Sequence, residues 1–274
     1  MTIIQSIILG IVQGLTEFLP ISSSAHLVLV PYWLNWKFPT EQIFVYDVLV
    51  QMGTILAVII YFWRDLVNIF SAVIRGLIAR KPFEDPNSRL GWMVVLATIP
   101  AGLAGLLIKD LVESAFNSPM ATAILLLGTS AFLIIAEIFG KRISTLKEMT
   151  WLDALVVGLF QAVSIFPGIS RSGSTITGGM LRKLDRPSAA RFSFLMSIPI
   201  MIAAGGVGVK DMLSIPNLAS FLPVMSIGII TAAIVGFLSI KWLLGYIRKH
   251  SFFGFAYYCI GICLLTFIVF MFRG

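Results

Sequence analysis

Phe166-Pro167-Gly168-Ile169-Ser170-Arg171-Ser172-Gly173-Ser174-Thr175 interrupts an apolar stretch with a proline, two glycines, four hydroxyls and an arginine. A guanidinium at membrane depth costs about 2.5–3.5 kcal/mol on insertion scales, so it needs a partner. Set among hydroxyls and glycines beside a helix-breaking proline, Arg171 has the surroundings of a phosphate clamp.

Composition places this segment in a membrane. The chain has 274 residues, of which 58% are hydrophobic and 12% charged, with a mean hydropathy of +0.96. A soluble protein carries about twice that charged fraction, so the chain reads as a polytopic membrane protein. Thr2 to Ile11 has no basic n-region and is not expected to be a cleavable signal. Cys259 and Cys263, four apart on the last apolar segment, read as small hydrophobes on one helix face. With two histidines and no Cys/His cluster, a zinc site is not expected.

Six segments are long and apolar enough to cross a hydrocarbon core of about 30 Å. They are Phe44–Trp63, Leu90–Ile108, Ala121–Phe139, Phe192–Val209, Phe221–Ile240 and Phe253–Phe272. Two more apolar stretches, Ile3–Val30 and Trp151–Leu181, each break at a proline followed by hydroxyl residues. One break is Pro20-Ile21-Ser22-Ser23-Ser24; the other is the segment quoted above. Non-helical backbone at this depth persists only where protein or a wet cavity satisfies it. Both stretches are read as re-entrant helix–loop–helix hairpins.

The net charge of +7 invites an anionic partner such as nucleic acid, but its distribution assigns it to topology. With the Arg64–Arg89 loop cytoplasmic and each hairpin returning to its own side, fifteen of the 20 Lys and Arg fall in cytoplasmic loops. Lys37, Lys109, Lys210 and Arg273 fall outside, and Arg171 lies in the second hairpin. That asymmetry satisfies the positive-inside rule with both termini outside. No nucleic-acid partner is expected. Glu137 should pair with Lys141 one turn further on, and Lys109–Asp110 and Lys210–Asp211 should mark outer helix ends.

The broken stretches also resemble each other. Gly10-Ile11-Val12-Gln13-Gly14-Leu15-Thr16 matches Gly158-Leu159-Phe160-Gln161-Ala162-Val163-Ser164, and both run through an aromatic and a proline to Ile-Ser. Each is followed by three spans. The reading is a single integral membrane domain, 1–274, made of two repeats, 1–147 and 148–274. Three crossings per unit is odd, so the second copy is inverted relative to the first. Broken helices meeting near the midplane are the architecture of many inverted-repeat transporters. The expected fold class is all-α and polytopic, with two inverted-topology repeats, each a re-entrant helix hairpin plus three transmembrane helices. Its tips should place Glu17, Ser22, Ser23, Ser24 and His26 opposite Ser170, Arg171, Ser172, Ser174 and Thr175.

Each of these residues has a plain reading beside a chemical one. Gln13 and Glu17 share a helix face at i, i+4. Glu17 serves either as a structural counter-ion for Arg171, as a ligand for a divalent metal, or as a base that orients water. A carboxylate plus substrate phosphates is the usual way Mg²⁺ is held. One of Ser22, Ser23 and Ser24 should cap the helix that follows, and a helix N-terminus is also an anion site. His26 is either a satisfied buried histidine or the group that activates a neighbouring hydroxyl. Gly168 and Gly173 let the backbone approach an anion. Asp47 and Gln51 either add polar support or face the interface.

Taken together, Gln13-Gly-Leu-Thr-Glu17-Phe-Leu-Pro20-Ile-Ser-Ser-Ser-Ala-His26 and Pro167-Gly-Ile-Ser-Arg171-Ser-Gly-Ser-Thr175 resemble the two signature motifs of the bacterial undecaprenyl pyrophosphate phosphatases of the bacitracin-resistance type. The resemblance covers essentially the whole chain. It implies hydrolysis of undecaprenyl pyrophosphate to the monophosphate carrier of cell-wall glycans and inorganic phosphate. It also implies bacitracin resistance, a divalent cation (Mg²⁺ or Ca²⁺), the bacterial plasma membrane and a site facing the extracytoplasmic side. Carried over by position, it names Gln13 and Glu17 as metal ligands and Glu17, Ser23, His26 and Arg171 as catalytic. Ser22, Ser170, Arg171, Ser172 and Thr175 become the phosphate-binding residues. Gln13 stands where relatives of this type can have Glu, which weakens a two-carboxylate mechanism.

The mechanism expected from this set has Ser23 attacking in line, assisted by His26, with water later releasing a phosphoserine. Direct attack by water is the variant. The lipid tail would lie between helices in the bilayer. The rival is a transporter or flippase of a polyprenyl phosphate or other anionic lipid, which needs the anion clamp but not Ser23 beside a base. Gly102, Ala104 and Gly105 are small enough to pack within or between protomers, which leaves a homodimer open.

Overall fold

The structure, a computed structural model, describes residues 1–38, 40–107, 118–212 and 218–273. Eleven α-helices are described: α1 (Ile3–Thr16), α2 (Ser23–Trp33), α3 (Thr40–Tyr61), α4 (Trp63–Ile78), α5 (Pro86–Leu107), α6 (Pro119–Phe139), α7 (Trp151–Val163), α8 (Arg171–Leu181), α9 (Arg186–Met212), α10 (Leu218–Tyr246) and α11 (Phe253–Arg273). Five of these, α5, α6, α9, α10 and α11, contain windows long and apolar enough to cross a membrane, and α3 with α4 supplies a sixth as a bent pair. The protein is an all-α, multi-pass membrane protein. Ile108 and the Lys109–Asp110 pair lie outside the described residues.

Both broken stretches are helix–turn–helix, and local chemistry explains each boundary. A capping box opens each entry helix: Thr2 and Gln5 exchange side-chain-to-backbone hydrogen bonds at the start of α1. Thr150 and Asp153 do the same at the start of α7. Each entry helix stops short of its proline, and a serine caps each return helix. Ser22 Oγ accepts from the Ala25 N–H, and Ser170 Oγ accepts from the Gly173 N–H. One orphan donor at the start of each return helix is thereby satisfied.

The entry helices are exchanged between the halves. α1 packs along α10, and α7 packs along α5. The matched glycines make both contacts close. A Cβ on Gly10 would lie 2.6 Å from the Gly228 carbonyl oxygen, and one on Gly158 the same 2.6 Å from the Ala97 carbonyl oxygen. α3 pairs with α9, and α6 with α11. In lipid, close approach of small residues replaces hydrophobic burial as the source of helix association. Around the tips the packing is aromatic: Phe18, fully buried, meets Phe194 of α9 edge-on with centroids 5.2 Å apart.

Two expectations are corrected. The Arg64–Arg89 segment is not simply a loop, because α4 occupies its first half, bent 77° from α3. Its exposed Trp63, Val67, Phe70, Ile74 and Ile78 recur at helical spacing as one apolar face, with Arg64, Asp65 and Arg75 as the charges on the helix, the pattern of an interfacial helix. Continuous apolar runs reveal spans but pass over this one. Glu137 does not pair with Lys141. α6 ends at Phe139 and Gly140 leaves the helix, so residue 141 is no longer one turn above Glu137. The carboxylate instead accepts from Arg142 Nη1 (2.9 Å), from Arg186 Nε (2.7 Å) and Nη2 (2.5 Å), and from the Phe252 N–H (2.8 Å). It ties α6, α9 and α11 together.

Candidate active site

The two hairpin tips meet at one carboxylate. Glu17 follows directly on α1, and its Oε1 accepts from Arg171 Nη2 at 2.7 Å. Its Oε2 accepts from the Ser23 hydroxyl at 2.6 Å and from Gln13 Nε2 at 2.8 Å. Glu17 and Gln13 are buried. Arg171 is the first residue of α8 and Ser23 the first of α2, so two helix N-termini converge on this carboxylate. Their unpaired N–H groups and partial positive charge favour an anion. Arg171 Nη1 is buried without a partner, which leaves one face of the guanidinium fork free for an acceptor.

The loops hold this geometry by strained and cross-linked backbone. Gly168 has φ +100, and a Cβ there would sit 2.3 Å from the Thr122 carbonyl oxygen, so only glycine fits. Thr129 of α6 brackets the loop, donating to the Gly168 carbonyl at 2.8 Å and accepting from the Ser170 N–H at 2.7 Å. The Ser172 hydroxyl donates to the Leu19 carbonyl at 3.1 Å and so joins one tip to the other. Ser22, immediately before Ser23, has φ +68 without being glycine. Such a conformation costs on the order of 1–3 kcal/mol and persists only where surroundings fix it.

Not every expected residue faces the cluster. His26 is buried, and neither ring nitrogen touches Ser23; Nδ1 lies 2.8 Å from the Ser22 carbonyl and Nε2 2.9 Å from the Tyr258 hydroxyl. The group at the Ser23 hydroxyl is Glu17, which corrects the expectation that His26 activates it. Helical side chains lean toward the N-terminus, and His26 therefore finds the carbonyl one turn back. Thr175 also turns away. Its hydroxyl donates to the Arg171 carbonyl (2.8 Å) and meets Ser193 of α9 at 2.6 Å, so it braces the Arg171 turn from behind. Ser170 Oγ is the cap of α8 and lies 3.2 Å from Ser172 Oγ. Ser22 Oγ caps α2 and lies 3.1 Å from Ser24 Oγ.

Four residues outside the motifs serve the site: Thr54, Thr129, Ser193 and Tyr258. Thr54 carried a signal, because it continues the Asp47–Gln51 face of α3 and reaches Gln13 Nε2 at 3.3 Å. The others are isolated hydroxyl-bearing positions or pairs in apolar spans, and local sequence gives no sign of their part in the site.

The donor set bears on a divalent cation. Among the described residues no three His, Cys, Asp or Glu side chains converge, so no all-protein cage is present. What the site offers is the Glu17 carboxylate and beside it Gln13 Oε1, buried with no hydrogen-bond donor. One carboxylate, one free amide oxygen and substrate phosphates make a donor set suited to Mg²⁺.

The fold and site define a class: a multi-pass membrane protein in which two hairpin tips meet at an arginine–carboxylate pair, with a hydroxyl held on that carboxylate. The family described as bacitracin resistance protein BacA matches residues 6–265, a span that includes every residue of the site. An undecaprenyl-diphosphatase of Chlorobium phaeovibrioides is 43% identical over 260 residues, 92% of this chain and 91% of that one. That of Thermomicrobium roseum is 41% identical over 276 residues, 98% of each chain. That of Methanosphaera stadtmanae is 41% identical, covering 97% of this chain and 98% of its own. The chain belongs to the bacitracin resistance protein BacA family.

Proposed function

We propose that the Glu17–Ser23–Arg171 cluster is where this chain acts on the terminal phosphate of its lipid. The activity is that of an undecaprenyl-diphosphatase, releasing undecaprenyl phosphate and inorganic phosphate. The observation that carries the site assignment is the Glu17 carboxylate set between the Ser23 hydroxyl at 2.6 Å and the Arg171 guanidinium at 2.7 Å.

The terminal phosphate binds with its equatorial oxygens on Arg171 and the N–H groups that open α8 and α2, while Ser172, bonded to the Leu19 carbonyl, holds the two tips together. Positive groups aimed at those oxygens stabilise the charge spread over them in transfer. Ser23 attacks the terminal phosphorus while Glu17 takes its proton. The bond from phosphorus to the bridging oxygen breaks, and undecaprenyl phosphate leaves with that electron pair. Glu17 hands that proton to the departing phosphate oxygen and then takes one from water, which attacks the phosphoserine; the bond from phosphorus to Ser23 breaks, and the Ser23 oxygen recovers its proton from Glu17. A divalent cation, held by Glu17 and Gln13 together with phosphate oxygens, would neutralise charge on the pyrophosphate. The transport alternative leaves the Ser23–Glu17 contact without a role.

The exchanged entry helices and the matched Gly10 and Gly158 contacts support an inverted repeat. The site faces the extracytoplasmic side of the bacterial plasma membrane, as the resemblance of the two motifs implies. The lipid tail stays in the bilayer between helices.

The test is phosphate release from undecaprenyl diphosphate by the purified protein in detergent, with Mg²⁺, Ca²⁺ or EDTA. Cation-dependent release that is lost in Glu17→Gln and Arg171→Ala proteins of matched folding supports the assignment. Full activity in both variants would place the chemistry elsewhere.

A further inference from the structure

The reaction above leaves His26 without a task, yet both of its ring nitrogens are engaged. A carbonyl oxygen only accepts, so Nδ1, 2.8 Å from the Ser22 carbonyl, carries a proton. In the neutral imidazole Nε2 is then an acceptor, and the Tyr258 hydroxyl at 2.9 Å donates to it. The two rings lie nearly parallel, 10° between planes with centroids 5.7 Å apart. Tyr258 comes from α11, 232 residues away in sequence. The Ser22 carbonyl at the other end belongs to the residue with φ +68, which sets the direction of the chain into Ser23.

We infer that Tyr258 is a positioning residue for the reaction. Its hydroxyl fixes His26 in the Nδ1–H tautomer, and that proton holds the Ser22 carbonyl. The left-handed Ser22 turn then presents the Ser23 hydroxyl to Glu17. The chain Tyr258–His26–Ser22–Ser23 crosses from the last transmembrane helix to the first hairpin tip without touching the phosphate. It rests on the reading of Ser23 as the nucleophile, because only an attacking hydroxyl needs this alignment.

The role separates into a spectroscopic and a kinetic readout. Tyr258→Phe keeps the ring stack and removes only the hydroxyl. The chain holds two histidines, so ¹⁵N-histidine NMR of His250→Gln protein reports His26 alone. The expected spectrum has Nδ1 protonated and Nε2 unprotonated, with the Nε2 resonance moving toward that of an unbonded nitrogen in Tyr258→Phe. In the same variant kcat should fall about tenfold with KM nearly unchanged, as for an interaction that serves the transition state. Tyr258→Phe should add nothing when His26 is already Ala, because the hydroxyl acts through that ring. A proton on Nε2 in the wild type, an unchanged kcat in Tyr258→Phe, or additive losses in the double variant would each overturn the inference. If the wild type releases no phosphate, the phosphatase reading itself fails, and the positioning role with it.

Discussion

Arg171 and Glu17, 154 residues apart, are joined by a 2.7 Å charge-assisted hydrogen bond that is the only ion pair in the described residues linking the two hairpin tips. The pair resolves the problem each residue poses alone. A buried guanidinium and a buried carboxylate are each costly, and together they nearly neutralise one another. The neutralisation is incomplete in a useful way: Arg171 Nη1 keeps an unmet donor, and Glu17 Oε2 is shared with a hydroxyl. A structural ion pair alone does not account for both an unmet guanidinium donor and a hydroxyl held on the carboxylate.

If the fork matters and not only the charge, Arg171→Lys is a severe change. Lysine keeps the cation but cannot bind Glu17 and a phosphate oxygen through two fixed N–H groups. The expected loss in kcat/KM is about 10²-fold, in the range for removing one preorganised donor. Steady-state phosphate release at matched folding measures it. Wild-type kcat/KM in Arg171→Lys would reduce Arg171 to a counter-ion.

A phosphoserine route makes a direct demand. With substrate labelled in its terminal phosphate, acid-quenched wild type should carry label on Ser23, and Ser23→Ala should carry none. The variant's kcat should fall by about 10³-fold or more, as for other nucleophile deletions. Absence of label together with substantial turnover in Ser23→Ala would mean that water attacks directly, with Glu17 as its base.

The parts of this protein that sequence made legible are those where one residue type has one physical explanation. A proline followed by hydroxyls inside an apolar run breaks a helix, and both breaks fall where Pro20 and Pro167 put them. An arginine among serines needs an anion, and Arg171 has Glu17. Partner choice was harder to read. Ser23 and His26 are three apart on a helix, which suggests contact, but the lean of helical side chains sends His26 to the Ser22 carbonyl. Tyr258 reaches His26 from another helix, and no local pattern marks it. Glu137 misled in the same way, because Gly140 ends the helix on which the spacing to Lys141 depended.

The cation reading turns on Gln13. Its Oε1 is buried without a donor, next to a single carboxylate. Gln13→Glu supplies a second negative ligand at that point, and affinity in oxygen-ligand sites rises with ligand charge. The divalent concentration for half-maximal activity should drop about tenfold. A titration of Mg²⁺ after EDTA treatment checks this. If the titration curve does not move, Gln13 is not a ligand and its amide serves only to orient Glu17.

The Glu137 clamp offers a control on stability that leaves the chemistry alone. Its carboxylate, 1% exposed, binds two arginines and one backbone N–H at the ends of three helices. Glu137→Gln removes the charge and leaves Arg142 and Arg186 facing a neutral amide in a buried setting. Breaking one side of such a pair costs about 3–5 kcal/mol, most of it from the uncompensated charge left behind. The thermal unfolding midpoint in detergent should fall accordingly, while the KM of the folded fraction stays at the wild-type value because the tips do not touch this cluster. Adding Arg186→Met should recover part of the loss by removing the stranded charge. If the double variant is less stable than Glu137→Gln alone, then Arg186 contributes through its other packing contacts, and the ion pair is not what joins α6 to α9.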